Sequence, residues 1–190
     1  MNDLCANRRV LVVDDNRGIH ADLCKILGAV GDAGATPSES PETPAASRAR
    51  LDALAAQVLG RSPAPAPGPD FSVDSAFQGR EALDLVEAAR AEQRPYALAF
   101  VDMHMPPGWD GMETIERLWR VDADLQVVIC TAHSDHPWST VTRRLGNSTS
   151  LLVLRKPFDS IEARQLATAL AHKWDLEAET RRLRDRVAEL

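Results

Sequence analysis

Apolar residues along this chain recur in two alternating rhythms. Short, nearly unbroken apolar runs at 9–13, 98–101, 126–130 and 150–154 are rich in Val, Leu and Ile. That is the pattern of strands buried on both faces. A further run, Phe71-Ser72-Val73-Asp74-Ser75-Ala76, is more polar and is expected at a sheet edge. Between the runs the spacing becomes helical. Ile19, Leu23, Ile26, Leu27 and Val30 share one face, and Gly28 or Gly31 closes that helix. Ala82, Leu83, Leu85, Val86 and Ala89 mark a helix over 81–92, and Ile115, Leu118 and Trp119 mark one over 112–121. Trp138, Val141 and Leu145 mark a short one that Asp135-His136-Pro137 caps and Gly146-Asn147 stops. A last helix opens on Asp159-Ser160-Ile161-Glu162, a capping box with aspartate in the hydroxyl position. The regular strand–helix alternation predicts an α/β fold, a five-stranded parallel sheet with helices on both faces.

Two stretches stand outside that alternation. Residues 32–70 hold seven of the twelve prolines, and 62–69 nearly alternates proline with small residues, as an extended linker does. Between the proline clusters, Leu51, Leu54, Ala55, Val58 and Leu59 have helical spacing, with Pro44 placed for a first turn and Gly60 for a stop. An inserted amphipathic helix is expected over 45–59, its stripe packing on its own domain or serving a partner. The closing helix, over 160–190, would be ~45 Å long at ~1.5 Å per residue, more than one face of a small sheet needs. Leu176, Thr180, Leu183, Val187 and Leu190 alternate at four and three, either as a coiled-coil seam of two heptads or as an amphipathic tail. Residues 174–190 read as a helical connector leading into a dimeric coiled coil, cut from a longer protein. The remaining 1–31 and 71–173 form the main domain.

Composition narrows the function classes. A net charge of −6 with no isolated basic stripe argues against binding nucleic acid or an anionic membrane. No apolar run approaches the ~18 residues of a membrane span, and no leader segment is visible. Cys5, Cys24 and Cys130 have neither metal-ligand spacing nor an even-numbered framework, which fits a reducing cytoplasm. Cys130 lies in an apolar run and reads as a small core residue.

The chemistry collects at strand ends. Asp14 and Asp15 follow the first apolar run, Asp102 the third, Thr131 the fourth and Lys156 the fifth. In open α/β sheets, ligands sit beyond the carboxyl ends of the strands. Three acids converging there repel unless a cation lies among them. With only oxygen ligands on offer, Mg²⁺ is favoured, then Mn²⁺. Together with that ion, the Thr131 hydroxyl and the Lys156 ammonium could hold the oxygens of a phosphoryl group. Asp102 is then the carboxylate nucleophile, forming an aspartyl-phosphate, and Asp14 steers the metal and its waters from the second position. The Lys156–Pro157 bond has either isomer open to it.

In these residues the chain resembles the receiver domain of two-component response regulators. The matching segments are Leu11-Val12-Val13-Asp14-Asp15, Val101-Asp102 with Met105-Pro106 and Asp110-Gly111, Thr131-Ala132, Lys156-Pro157-Phe158, and Gln78-Gly79-Arg80-Glu81-Ala82-Leu83. The resemblance implies a flavodoxin-like sheet of order 2-1-3-4-5, an order the receivers are known for. It implies Asp102 as phosphoacceptor, supplied by a histidine kinase or a phosphotransfer protein. Asp15, Asp102 and the backbone carbonyl of His104 would hold Mg²⁺, and Thr131 and Lys156 would contact the phosphoryl oxygens. Three features depart from the family pattern. Pro106-Pro107-Gly108-Trp109 is one residue longer than usual, Val153 stands where an aromatic switch residue is common, and 32–70 is extra.

Of the histidines, His104 and His133 either flank the phosphoryl group or are exposed loop residues. His20 and His172 read as ordinary helix residues, and His136 as part of a cap. Three functions compete. A switched module would relay phosphorylation through the closing helix into an effector such as a histidine kinase, diguanylate cyclase or cyclic-di-GMP phosphodiesterase. A stand-alone adaptor or phosphate sink would have no output domain, and the reading frame beyond Leu190 separates the two. A phosphohydrolase of the haloacid-dehalogenase type needs a second acid two residues after the nucleophile, where His104 stands.

Overall fold

In the computed structural model, which describes residues 6–28, 71–132, 138–146 and 148–188, the two rhythms resolve into strands and helices in strict alternation. They are β1 Arg9–Val13, α1 Arg17–Leu27, β2 Ser72–Ala76, α2 Gly79–Ala91, β3 Leu98–Asp102, α3 Gly111–Val121, β4 Gln126–Thr131, α4 Trp138–Leu145, β5 Leu151–Arg155 and α5 Ser160–Ala188. All strand pairs are parallel and the order is β2-β1-β3-β4-β5, the flavodoxin-like, doubly wound arrangement. Every residue of β3, the central strand, is buried, whereas β2 at one edge and β5 at the other are partly exposed. The inserted helix expected over 45–59, and the cap expected at 135–137, lie outside the described residues. So do His133 and Leu190.

The period of two along each strand sorts the core into two layers. Val10, Val12, Leu98, Phe100, Val128, Cys130 and Leu154 point to α1 and α5, where Leu23, Leu27 and Leu170 meet them. Leu11, Val13, Ala99, Val101, Val127 and Ile129 point the other way, to Val86, Ile115 and Leu118 on α2 and α3. On α5 the contact stripe is Ala163, Ala167 and Ala171, all buried, so small side chains bring that helix close to the sheet. Gly28 ends α1 in the left-handed region at φ 72°, where it returns its N–H to the helix. Phe71 then donates its N–H to the Leu27 carbonyl at 3.3 Å. The two ends of the long intervening segment thus meet, and a sheet tolerates an insertion there at small extra entropy.

α5 is one continuous helix across residue 173. Its middle is fastened to the base of the sheet, opposite the strand ends that carry the acids. Lys173 Nζ reaches Gln126 Oε1 at 2.7 Å and Ser150 Oγ at 3.2 Å. Arg181 pairs with Asp124 at 2.9 Å, and Asp175 accepts from the Asn7 N–H at 2.9 Å. One turn further on, Leu183 and Val187 are exposed. Among the described residues no helix is long and apolar enough to cross a membrane.

Gly111 begins α3 directly beneath the end of β3. A Cβ there would meet the Asp102 carbonyl oxygen at 2.3 Å and the Met103 Cα at 2.8 Å. Both are backbone atoms and cannot swing aside. Gly111→Ala is therefore expected to destabilise the fold by about 1–3 kcal/mol, as overpacking does. Urea unfolding measures this; an unchanged midpoint would contradict the tight junction.

Candidate functional site

The register brings the acids together. Val13 lies opposite Val101, and Asp14 and Asp102 are the next residue on each strand path. One carboxylate oxygen each from Asp14, Asp15 and Asp102 can be chosen so that all lie within 4.8 Å of one another. At an effective dielectric of about 20, two like charges at that separation repel by about 3–4 kcal/mol. Asp14 and Asp102 are buried, which weakens solvent screening, and Asp15 is exposed.

Lys156 answers part of that charge. Its Nζ donates to Asp14 Oδ2 at 2.6 Å and to Asp102 Oδ1 at 2.8 Å. Burial pulls the ammonium's pKa down, but the hydrogen bonds and charges of Asp102 and Asp14 outweigh it and hold the group above its usual range. Lys156 is delivered by β5, whose pairing with β4 carries on into a bond from the Lys156 N–H to the Thr131 carbonyl at 2.8 Å. The Lys156–Pro157 bond is cis, and so is Pro106–Pro107. The Thr131 hydroxyl donates to the Ala132 carbonyl at 3.0 Å.

The donor set fits a hard divalent ion. It is all oxygen and clustered, with one exposed member from which water is not excluded. Asp102 Oδ2 accepts the His104 N–H at 3.2 Å, which turns the loop after β3 around the carboxylate. That loop is anchored by buried Met103 and Met105, while His104, Pro106, Pro107 and Gly108 are exposed. Trp109 lies under the Arg117 guanidinium at 4.0 Å, and Asp110 caps α3 by accepting the Glu113 N–H at 2.7 Å. Burial pushes the Cys130 thiol up to about 12, Lys156 pulling against it and Asp14 and Asp102 adding to it. Cys130 is thus an inert core residue, as expected. Val153 packs against the α2–α3 layer.

His20 is a residue of α1, as read, and it lies on the buried face of that helix. It is only 6% exposed. Its Nε2 lies 2.7 Å from the Asp14 carbonyl oxygen and its Nδ1 2.9 Å from Ser75 Oγ, with the Phe77 ring 4.5 Å away. The signal was its spacing, three before Leu23 and seven before Leu27, on the apolar face of α1. His172 is exposed on α5.

Comparison with known proteins agrees with this fold. The family model described as the response regulator receiver domain matches residues 66–168. The sporulation initiation phosphotransferase F of Bacillus subtilis is 34% identical over 94 residues, which span 50% of this chain and 68% of that protein. A solved adenylate cyclase from Rhodopirellula baltica is similar at 19% identity and a TM-score of 0.62, over 94% of this chain and 98% of that one. A CheY-like response regulator receiver domain protein from Methanospirillum hungatei is similar at 16% identity and a TM-score of 0.56, over 90% of this chain and 98% of that one. At these identities the two structures speak to the fold alone.

The like-charge cluster generates a measurable contrast. Asp15→Asn removes one of the three charges and is expected to raise the metal-free stability slightly, by up to about 1 kcal/mol because the group is exposed and screened. Mg²⁺ is expected to raise the melting temperature of the wild type, by about 2.7 kcal/mol of stability at a hundredfold excess over Kd, and to leave the variant unmoved. Equal Mg²⁺ stabilisation of both proteins would show that Asp15 is no ligand.

Proposed function

This chain belongs to the response regulator receiver domain family of two-component systems, and on that premise we propose that Asp102 is its phosphoacceptor in a Mg²⁺-dependent phosphorelay. The observation that carries the reading is a central-strand carboxylate that shares one cluster with Asp14 and Asp15 and is bridged by Lys156. Asp15, Asp102 and the backbone carbonyl of His104 would hold the ion, and Asp14 would orient its waters. When bound, the ion would supply positive charge where the transferring phosphoryl oxygens carry negative charge.

The donor is a phosphohistidine of a histidine kinase or a phosphotransfer protein. An Asp102 oxygen attacks phosphorus, the P–N bond breaks as the P–O bond forms, and the imidazole retains the electron pair and takes up a proton. Phosphorylation changes the partners of Lys156. Its ammonium, now bridging two carboxylates, turns to a phosphoryl oxygen. The Thr131 hydroxyl gives up the Ala132 carbonyl for another. With Val153 in place of an aromatic residue, the response runs through backbone shifts or through α4, not through a ring flip. The chain is a regulated acceptor in the cytoplasm and any effector enzyme lies outside these residues.

Output passes through α5. Leu176, Leu183 and Val187 are 52%, 53% and 72% exposed, at the spacing of a coiled-coil seam. A second copy covers that seam, giving a homodimer. In sedimentation equilibrium, Leu183→Glu with Val187→Glu is expected to shift the population to monomer; unchanged dimerisation would remove the seam from the interface.

Phosphorylation is tested directly. With Mg²⁺ and acetyl phosphate the wild type is expected to gain one phosphoryl group by intact mass, and Asp102→Asn none. Lys156→Ala is expected to accept the group but to lose the accompanying change in amide chemical shifts beyond the site. A variant lacking Asp102 that is still phosphorylated to the same stoichiometry would refute the assignment.

A further inference from the structure

We infer that His20 is a positioning residue for the cation site, setting the place of Asp15 by gripping the Asp14 peptide from behind. This rests on the reading of Asp15 as a ligand. Among the described residues no hydrogen bond or ion pair holds the Asp15 side chain. Its carboxylate is exposed and faces two other acids that repel it. Only the backbone on either side restrains it, and that backbone is the turn Asp14-Asp15-Asn16.

Asp14 is the fixed point of the turn. Its N–H donates to the Ala76 carbonyl at 3.2 Å. Its side chain accepts from Lys156 Nζ at 2.6 Å and from the Asn16 N–H at 2.8 Å. Its carbonyl, the atom that sets the plane of the peptide running into Asp15, is held by His20 Nε2 at 2.7 Å. A carbonyl oxygen only accepts, so Nε2 carries the proton. In the neutral ring Nδ1 then accepts from the Ser75 hydroxyl at 2.9 Å. Phe77 fixes the ring plane from the side at 4.5 Å. The imidazole is therefore held by two neighbours, Ser75 and Phe77, besides the turn, and it ties the turn to edge strand β2 across the top of α1. Outer groups that orient a ligand in this way change metal affinity about 10–100-fold when removed.

Two conservative replacements separate this role from simple core packing. A glutamine places its amide nitrogen where Nε2 stands and keeps the Asp14 bond. An asparagine is shorter, reaches the level of Nδ1, and keeps only Ser75. Both lose the ring and its packing. Mn²⁺ binding to the full chain is followed by loss of the free-ion electron paramagnetic resonance signal, with the melting temperature of the metal-free protein recorded beside it. His20→Gln is expected to bind Mn²⁺ within about twofold of the wild type and His20→Asn about tenfold more weakly, with both melting temperatures lowered alike. Ser75→Ala, a milder lesion at the far nitrogen, is expected to weaken binding about twofold and covers the case in which the His20 variants fail to fold. Wild-type affinity in His20→Asn, equal losses in the two His20 variants, or wild-type affinity in Ser75→Ala when neither His20 variant folds, would overturn the inference. Absence of Mn²⁺ binding by the wild type would instead remove the cation site itself, and this inference with it.

Discussion

Three carboxylates held within a few ångströms of one another at the end of a sheet repel, and much of this fold can be understood as the apparatus that keeps them there. A flexible segment would relieve the repulsion by moving. Here two of the acids extend from the paired paths of β1 and β3, whose apolar residues are buried and locked by ladder bonds to neighbours on both sides. Lys156 neutralises part of the charge by donating to two of the acids at once. That leaves an excess of negative charge that a hard divalent ion fits. One of the two carboxylates that Lys156 bridges, Asp102, is the group that the proposed phosphorylation would modify.

The site and the ties that fasten the middle of the closing helix lie at opposite ends of the strands. β4 and β5 connect them, carrying Thr131 and Lys156 at one end and, at the other, the Gln126 and Ser150 groups that receive Lys173. α5 is thus tied to the strands that deliver Thr131 and Lys156, and its exposed apolar positions begin beside the ties. A helix fastened in this way presents its outer face in a defined direction. Side chains at Leu183 and Val187 gain nothing from exposure to water, which is why a covered state of that face is the physical expectation.

Much of this was legible before any coordinates. The strand and helix succession, the two-sided burial of the central strand, the polar edge strand and the glycine stop of the first helix all follow from residue periodicity, which acts over neighbouring residues and is read locally. Asp14, Asp15, Asp102, Thr131 and Lys156 could be singled out for the same reason, since each directly ends or follows an apolar run and a parallel sheet collects such ends on one edge. The helix expected over 45–59 lies outside the described residues. His20 reads in the sequence only as a helix residue; its spacing with Leu23 and Leu27 on the apolar face is the signal that it is buried.

What the linear chain determined, then, was the order of the elements and the identity of the chemical groups, because both depend on residues within a turn or two of each other. What only the tertiary structure decided was which groups meet. Lys156 and Asp14 are 142 positions apart, His20 and Ser75 are 55 apart, and Lys173 and Gln126 are 47 apart. No local pattern encodes such pairs. They exist because strand register and helix packing, set by the burial of the whole core, bring those side chains to the same few ångströms of space.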